Sequence, residues 1–211
     1  MARKIVRLTP DHLEELGTPC RTCVFWELDA VRRTRLATAE ARADEKHAWL
    51  ATVLREWGSC GRVAVVDGRV VGHLVYAPAA FVPTAGAFPT APVSTDAVLL
   101  TTAYVDPEHA GAGLGRMLVQ SMARDLIERG GIRAVEAFAG SGTAACTLPA
   151  DFLSRVGFRT QRAHPRHPRM RMDLRSALTW RDEVEAAIER LVGVVRPQAA
   201  PDPVRRAPDA R

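Results

Sequence analysis

Apolar and polar residues alternate at the start of the chain and continue into helical patterns. Residues 3 to 8 show the period of two that is typical of a β-strand. Thr9 and Pro10 then predict a helix start, because proline is tolerated in the first helical turn. Residues 38 to 57 are rich in alanine, glutamate, lysine and leucine and predict a second helix that ends near Gly58.

The middle of the chain has the pattern of a hairpin followed by a long connection and a strand. Two apolar runs, 62–66 and 69–76, flank an Asp-Gly pair at 67–68, which is a strong hairpin signal. Residues 78–94 contain four prolines and predict a long loop, a type that is usually functional or mobile. Residues 97–105 are predominantly apolar and predict a further strand.

Beyond this strand the pattern returns to helix and then to short strands. Residues 116 to 129 predict an amphipathic helix that ends at a Gly-Gly pair. One face of this helix is apolar and consists of Val119, Met122, Ala123, Leu126 and Ile127. The elements expected after it are a strand at 134–138, a helix at 148–156, and strands at 159–163 and 169–174.

The C-terminal part of the chain differs in pattern from the rest. Thr179 to Asp182 resemble a helix capping box with aspartate in place of glutamate. From residue 196 onward the chain is rich in proline, alanine and charge, which is typical of disorder. We therefore expect one domain over residues 1–176, a helix over 177–195 that packs on it or on a partner, and a disordered tail over 196–211.

A glycine-rich segment between the strand at 97–105 and the helix at 116–129 predicts a phosphate site. Gly111, Gly113 and Gly115 let the backbone approach a ligand without interference from a Cβ atom. The segment also points several N–H groups at one place in front of a helix N-terminus, where the helix dipole favours an anion. We therefore expect a cofactor that carries phosphate.

The spacing of these glycines distinguishes this segment from two common phosphate-binding loops. A nucleotide-triphosphate loop needs a lysine directly after its last glycine, and none follows Gly115. A dinucleotide loop has Gly-x-Gly-x-x-Gly directly after a strand, whereas Pro107 separates strand from loop here. Glu136 lies where a ribose-binding acid would be found, but an acid at that loose distance is common.

Two ordered motifs resemble the GCN5-related N-acetyltransferase family. The first consists of Val105, Pro107, Gly111, Gly113, Gly115 and Leu118. The second, Ala150 to Phe158, is a helix that ends in Gly-Phe. In that family the loop amides bind the pyrophosphate of coenzyme A, and the preceding strand splays from its neighbour so that its backbone pairs with the pantetheine arm.

The resemblance implies a single mixed α/β domain of the acyl-CoA N-acyltransferase type, with a mostly antiparallel central sheet and helices on both faces. It implies acetyl-CoA as co-substrate and direct transfer of its acetyl group to a primary amine in a ternary complex. A non-catalytic module that senses acyl-CoA is the alternative. The amine belongs to a small molecule, a protein lysine or a protein N-terminus, and a homodimer is possible. The residues expected at the cofactor are Tyr104, Val105, Ala110, Gly111, Ala112, Gly113, Leu114, Gly115 and Arg116.

Three positions depart from the family pattern. Ala110 replaces an arginine or glutamine at the start of the loop, which removes a side chain but keeps the backbone amides. Leu153 replaces the tyrosine that often protonates the leaving thiolate. Cys146 replaces an asparagine at the start of the motif helix, where the helix dipole would lower the pKa of its thiol.

Three side chains are candidates for proton transfer, which the reaction of an amine requires. Glu27 lies beside Trp26 in a region that walls the acceptor cleft in the family; it is either a desolvated general base or a surface charge. His73 is either a base or a structural histidine. Tyr104 either replaces the missing tyrosine or is a packed aromatic residue.

The four cysteines leave several interpretations open. Cys20 and Cys23 have the Cys-x2-Cys spacing of half a zinc site, with Cys60 and more distantly His47 or Cys146 as further ligands. No second Cys-x2-Cys follows, so we expect no metal. A redox pair is possible, and reduced cytosolic thiols are the simplest interpretation.

Composition and charge narrow the classes of partner. Hydrophobic residues make up 47% of the chain, yet no run is long enough for a membrane span. The N-terminus lacks a signal-peptide core, so we expect a cytoplasmic protein. Residues 155 to 175 contain seven arginines and one acid, which are either a solvated surface or an attraction for acidic ligands. Few aromatic residues accompany them, so nucleic acid is an unlikely partner.

Overall fold

Eight strands form one twisted sheet in the computed structural model, which describes residues 2–17, 19–140 and 146–175. The expected helix at 177–195 and the tail at 196–211 lie outside the described residues. The strands are β1 (Arg3–Arg7), β2 (Gly61–Val66), β3 (Arg69–Ala77), β4 (Ala97–Val105), β5 (Ala134–Gly140), β6 (Leu148–Pro149), β7 (Arg159–Arg162) and β8 (Arg169–Asp173).

Five α-helices are described. Three of them lie between β1 and β2, one lies between β4 and β5, and one lies between β6 and β7. They are α1 (Pro10–Glu15), α2 (Ala30–Thr34), α3 (Ala39–Trp57), α4 (Leu114–Arg129) and α5 (Ala150–Arg155). The one-and-a-half-turn helix α2 and the two-residue strand β6 were not predicted, because neither is long enough to show a period. Helix α4 begins two residues before the predicted start, at Leu114. None of the described helices has the length and apolarity to cross a bilayer.

The strand order is β1-β2-β3-β4-β5-β8-β7, and β6 pairs with the end of β5. Neighbours are antiparallel except for β4 with β5 and β5 with β6. The prediction of a mixed, mostly antiparallel sheet is therefore confirmed. The parallel pair falls in the middle of the sheet, where α4 makes the crossover connection between β4 and β5.

The two central strands separate after a short pairing. Ala97 to Leu99 of β4 pair with Ala134 to Glu136 of β5, and within the described residues the rest of β4 pairs with β3 alone. Beyond Glu136, β5 continues alongside β8 and β6. The sheet thus opens between β4 and β5 toward the glycine-rich loop, as the family resemblance predicted.

Apolar side chains cover both faces of the sheet. On one face, α4 and α5 bury residues that include Leu118, Met122, Leu126 and Leu153 against β2 to β5. On the other face, α1, α3 and the segment before α2 bury Leu13, Trp26, Leu50 and Val53. Helices on both faces are thereby confirmed, and each face has its own hydrophobic core.

A buried polar cluster fixes α4 on the sheet. Asp125 of α4 accepts a hydrogen bond from the Tyr76 hydroxyl at 2.7 Å and forms an ion pair with Arg62 at 2.5 Å. Burial opposes the charge of Asp125, but the hydrogen bond from Tyr76 and the positive charge of Arg62 hold its pKa below the ordinary value. This charged anchor sets where α4, and hence the loop in front of it, sits over the sheet.

The proline-rich segment 78–94 is an ordered connection packed against the sheet. It contains two 3-10 turns, Ala79–Phe81 and Pro83–Ala87. Val82 and Ala85 are buried in the core beneath α3. The expected long loop is therefore present, and its own apolar side chains hold it in place.

Candidate active site

The glycine-rich loop forms a sharp turn at the N-terminus of α4. A 3-10 turn at Pro107–His109 ends at Ala110, and Gly111 and Gly113 then adopt φ angles of +77° and +80°. These left-handed conformations suit glycine because an L side chain is strained there. Gly113 is the N-cap residue of α4 and offers no side-chain cap, so the first amides of the helix depend on another acceptor.

The space around this turn is open. A Cβ atom built on Gly111 or Gly113 would meet no heavy atom within 4 Å. The loop from Ala110 to Gly113 is exposed, whereas Leu114 is buried and anchors the first turn of α4. The described residues therefore leave the surroundings of these two glycines unfilled.

Gly115 has a different role from the two glycines before it. A Cβ atom there would lie 3.0 Å from the Cε2 atom of Phe152 on α5. The glycine thus permits close packing of α4 against α5, and the two sequence motifs meet in space at this contact.

Tyr104 and Val105 lie at the end of β4, where the opening between β4 and β5 reaches the loop. Tyr104 is 36% exposed and lies opposite His73 of β3 in the strand register. Their ring centroids are 6.0 Å apart. Two candidate catalytic residues are therefore neighbours on adjacent strands.

His73 is buried on the face of the sheet that packs against α3. Burial, followed by the positive charge of Lys46, lowers the pKa of His73 to about 4. The imidazole is therefore neutral at pH 7, so it can accept a hydrogen bond but is a weak base.

Replacing His73 by glutamine is expected to reduce the loss of folding stability that occurs as the pH falls from 7 to 4. The unfolded histidine binds a proton near pH 6.5 and the folded one only near pH 4, so stability is lost as the pH falls through this window. Over this pH range the wild type is expected to lose about 3 kcal/mol more of its folding stability than the variant. Urea unfolding at pH 7 and pH 4 measures it; equal losses in wild type and His73→Gln would contradict the assignment.

Glu27 is buried in an ion pair, and the interpretation of a surface charge is wrong. Its Oε1 atom accepts a hydrogen bond from Lys46 Nζ at 2.5 Å. Lys46 also donates to the Cys23 carbonyl at 2.7 Å, which ties α3 to the segment before α2. Glu27 Oε2 is buried and accepts no hydrogen bond from the described residues. One carboxylate oxygen is thus held by a cation while the other keeps its acceptor capacity.

Lys46 was missed in the sequence, although a signal was present. It lies on α3 at positions −4 and −7 from Leu50 and Val53, which are both buried. That spacing places Lys46 on the apolar stripe of the helix. A lysine on such a stripe needs a buried acid, and Glu27 is that acid.

Two cysteines from distant parts of the chain lie in contact. The Sγ atoms of Cys23 and Cys146 are 2.7 Å apart, and all four cysteines are free thiols. Hydrogen bonding to Cys146 lowers the pKa of Cys23 to about 6. The same contact, followed by burial, raises the pKa of Cys146. The expected lowering at Cys146 is wrong, because α5 begins only at Ala150 and the thiol faces Cys23 instead.

Leu153 and Glu136, which the sequence also singled out, are both buried inside the domain. Leu153 of α5 is fully buried in the core, and its hydrocarbon side chain has no proton to donate to a leaving group. Glu136, also fully buried, accepts hydrogen bonds from Ser94 and pairs with Arg169 and Arg171 where β4 and β5 separate. These two arginines belong to the basic run, so that run is not uniformly a solvated surface. Among the described residues, no group of three or more potential ligands is placed to hold a metal ion.

Comparison with known proteins agrees with this geometry. A sequence profile of the acetyltransferase (GNAT) family matches residues 24–158. No curated protein matches the sequence. An N-acetyltransferase from Staphylococcus aureus Mu50 has a TM-score of 0.55 at 16% identity and covers 82% of this chain and 99% of its own. The PaiA N-acetyltransferase from Thermoplasma acidophilum, in complex with coenzyme A, has a TM-score of 0.54 at 14% identity with the same coverage.

A third solved structure shows that this fold also serves other chemistry. The GNAT-like decarboxylase GphF, in complex with isobutyryl-CoA, has a TM-score of 0.52 at 17% identity and covers 81% of this chain and 99% of its own. At such identities these likenesses concern the fold alone. The profile, in contrast, covers more than half of the chain and both sequence motifs. The chain belongs to the GNAT acetyltransferase family, whose general activity is acyl-CoA-dependent acyl transfer.

Proposed function

We propose that this protein is an N-acetyltransferase that moves the acetyl group of acetyl-CoA directly to a primary amine in a ternary complex. The observation that carries the proposal is the turn at Gly111 and Gly113, which lies in front of α4 at the mouth of the opening between β4 and β5. The backbone amides of the turn can bind phosphate oxygens. The unpaired edge of β4 can form hydrogen bonds with an extended chain that carries amide groups.

The described residues fit acetyl-CoA. Amides from Gly111 to Arg116 take the pyrophosphate, and Ala110 and Ala112 bring no bulk to the loop. Leu114 holds the first turn of the helix in place. The free edge of β4 near Tyr104 and Val105 pairs with the pantetheine amides.

Glu27 is the proposed general base. The amine nitrogen attacks the thioester carbonyl, the carbon–sulfur bond breaks, and the amine gives up a proton. Glu27 Oε2 is free to accept that proton, directly or through water, while Lys46 holds Oε1. His73 is the second candidate for this role. It lies on the same face of the sheet, but burial lowers its pKa to about 4, so it is a poor base at neutral pH.

Tyr104 is the proposed donor of a proton to the leaving thiolate. It is half-exposed at the end of β4, where the opening meets the loop. Leu153, in the position of the usual family tyrosine, is buried and apolar. That substitution also favours the second candidate function, a module that binds acyl-CoA without turnover.

Thiol release separates the two functions. Purified protein is mixed with acetyl-CoA and a panel of primary amines, and free coenzyme A is measured with a thiol reagent. Transfer predicts amine-dependent thiol release together with an acetylated product of matching mass. Tight acetyl-CoA binding in calorimetry without amine-dependent release would instead identify a sensing module.

A further inference from the structure

An aromatic cleft lies beside the segment that carries Glu27. It has a volume of about 360 Å³, and its lining includes Phe25, Arg33, Thr84, Phe88, Thr147 and His167. We call this group the aromatic cleft. A second cavity of about 360 Å³ shares Phe25 and Arg33 with it and adds Arg42.

Stacked rings connect the cleft to the opening in the sheet. Phe88 stacks on Phe138 with centroids 4.4 Å apart, and the Trp26 ring lies nearly parallel to both, 5.2 Å from Phe88 and 6.3 Å from Phe138. Phe138 lies on β5 two residues beyond Glu136, where β5 has already separated from β4. Thr84 of the cleft lies within hydrogen-bond distance of the Phe25 and Leu28 carbonyls, which flank Trp26 and Glu27 in the chain, so the cleft packs against the segment that carries the proposed base.

The charge in this region is positive. The Arg33 guanidinium lies 4.7 Å from the centroid of the Phe25 ring and donates to the Phe25 carbonyl at 3.0 Å. Across the described ranges no carboxylate forms an ion pair with Arg33, whereas its neighbour Arg32 pairs with Glu45 at 3.3 Å. No aspartate or glutamate is among the described residues that line either cavity. His167 Nδ1 is buried there without a hydrogen-bond partner among those residues.

We propose that the acceptor is a small primary amine that also carries a carboxylate and an aromatic ring, as an aromatic amino acid does. The inference rests on the proposed acetyl transfer. The acceptor carboxylate pairs with Arg33, and its ring stacks among the aromatic side chains of the cleft. Polycationic acceptors such as polyamines are disfavoured, because Arg33 and Arg42 repel them.

Matched pairs of amines test the proposal. Tryptophan and tryptamine differ only in the carboxylate, and the wild type is expected to use tryptophan with a kcat/KM about 10- to 100-fold higher. Arg33→Gln should remove this preference by lowering the value for tryptophan and leaving that for tryptamine nearly unchanged. Arg32→Gln is the control, because Arg32 lies outside the cleft and pairs with Glu45.

Calorimetry with protein that is saturated with coenzyme A gives a second measurement that does not need turnover. A preference for tryptophan that depends on Arg33 would support the cleft even if no amine were acetylated, and only the transfer proposal would then fail. Equal use and equal binding of the two amines, or the same behaviour of Arg33→Gln and Arg32→Gln, would overturn the acceptor assignment.

A separate observation concerns the contact between Cys23 and Cys146. The two residues are 123 positions apart in sequence, yet their Sγ atoms lie at 2.7 Å. Trp26 Nε1 donates to the Cys146 carbonyl at 2.8 Å and holds this residue beside the segment that contains Cys23. Cys23 lines the second cavity, which gives a small oxidant access to its thiolate.

We infer that Cys23 and Cys146 form an intramolecular disulfide when the protein is exposed to hydrogen peroxide. The Cys23 thiolate attacks one peroxide oxygen, the O–O bond breaks, and a sulfenic acid and water result after proton uptake. The Cys146 thiol then displaces the sulfenic oxygen as a second water and forms the S–S bond. Two thiols and one hydrogen peroxide thus give one disulfide and two waters.

Peptide mapping after hydrogen peroxide treatment tests the disulfide. A Cys23–Cys146 cross-linked peptide is expected, together with loss of two hydrogens from the intact mass. Cys23→Ser and Cys146→Ser should each abolish it, and Cys60→Ser should not, because burial raises the pKa of Cys60 to about 12. A Cys20–Cys23 link, or sulfinic acid at Cys23 with no cross-link, would overturn the inference.

Discussion

Gly113→Val is expected to weaken acetyl-CoA binding by at least about 100-fold, or about 2.7 kcal/mol. Gly113 has a φ of +80° and a Cβ position that points into the open space in front of α4. A valine side chain would fill the place of the phosphates and push the backbone out of the left-handed conformation, moving the amides. Titration calorimetry with acetyl-CoA measures the change in Kd.

Gly131→Val is the matched control for this substitution. Gly131 also has a positive φ, +74°, and open space at its Cβ, but it follows the opposite end of α4. Both variants carry similar backbone strain, about 1–2 kcal/mol. Only Gly113→Val should lose the ligand. If both variants bind acetyl-CoA as the wild type does, the phosphate site is elsewhere.

Glu27→Gln is expected to lower the acetylation rate by about 10²- to 10⁴-fold, the usual contribution of a positioned general base. The Kd for acetyl-CoA should change little, because the glycine-rich loop is on another part of the domain. Initial rates at saturating acetyl-CoA, together with calorimetry, measure both quantities. An unaltered rate would assign the proton to His73 or to solvent.

The same substitution should also reduce stability, because it leaves the Lys46 charge buried without its acid. Loss of one partner of a buried ion pair costs about 3–5 kcal/mol. The double variant Glu27→Gln/Lys46→Met should regain much of this stability and keep the low rate, which separates catalysis from folding. Glu45→Gln is the control, because its pair with Arg32 is at the surface. A double variant that recovers the rate would show that Glu27 acts only through folding.

Local patterns were sufficient to predict the elements around the glycine-rich loop. The glycines at 111 and 113 have the positive φ angles that their spacing suggested, and the amphipathic stripe of α4 faces the core. The Asp-Gly pair at 67–68 does form the predicted hairpin. Each of these features depends on residues that are close together in the sequence, so a short stretch of sequence is enough to predict it.

The acceptor side could not be predicted in the same way. Glu27 and Lys46 are 19 residues apart, and Cys23 and Cys146 are separated by most of the domain. These contacts depend on how α3 and the end of β5 pack on the sheet, which no local period encodes. The aromatic cleft likewise combines side chains from four separate segments. The proposed cofactor loop can therefore be predicted from the sequence, whereas the proposed acceptor side depends on tertiary packing.

The free edge that β4 gains where it separates from β5 is expected to resist pairing with strands of other molecules. A free strand edge at the rim of a sheet can recruit a strand from another molecule. Here the free edge of β4 lies inside a wedge that starts at Leu99, where β5 is still paired. A foreign strand needs a gap of about two strand spacings, near 10 Å, along its whole length. The narrow end of the wedge excludes such a strand. An extended cofactor arm, which occupies only the wide outer part of the wedge, can still enter.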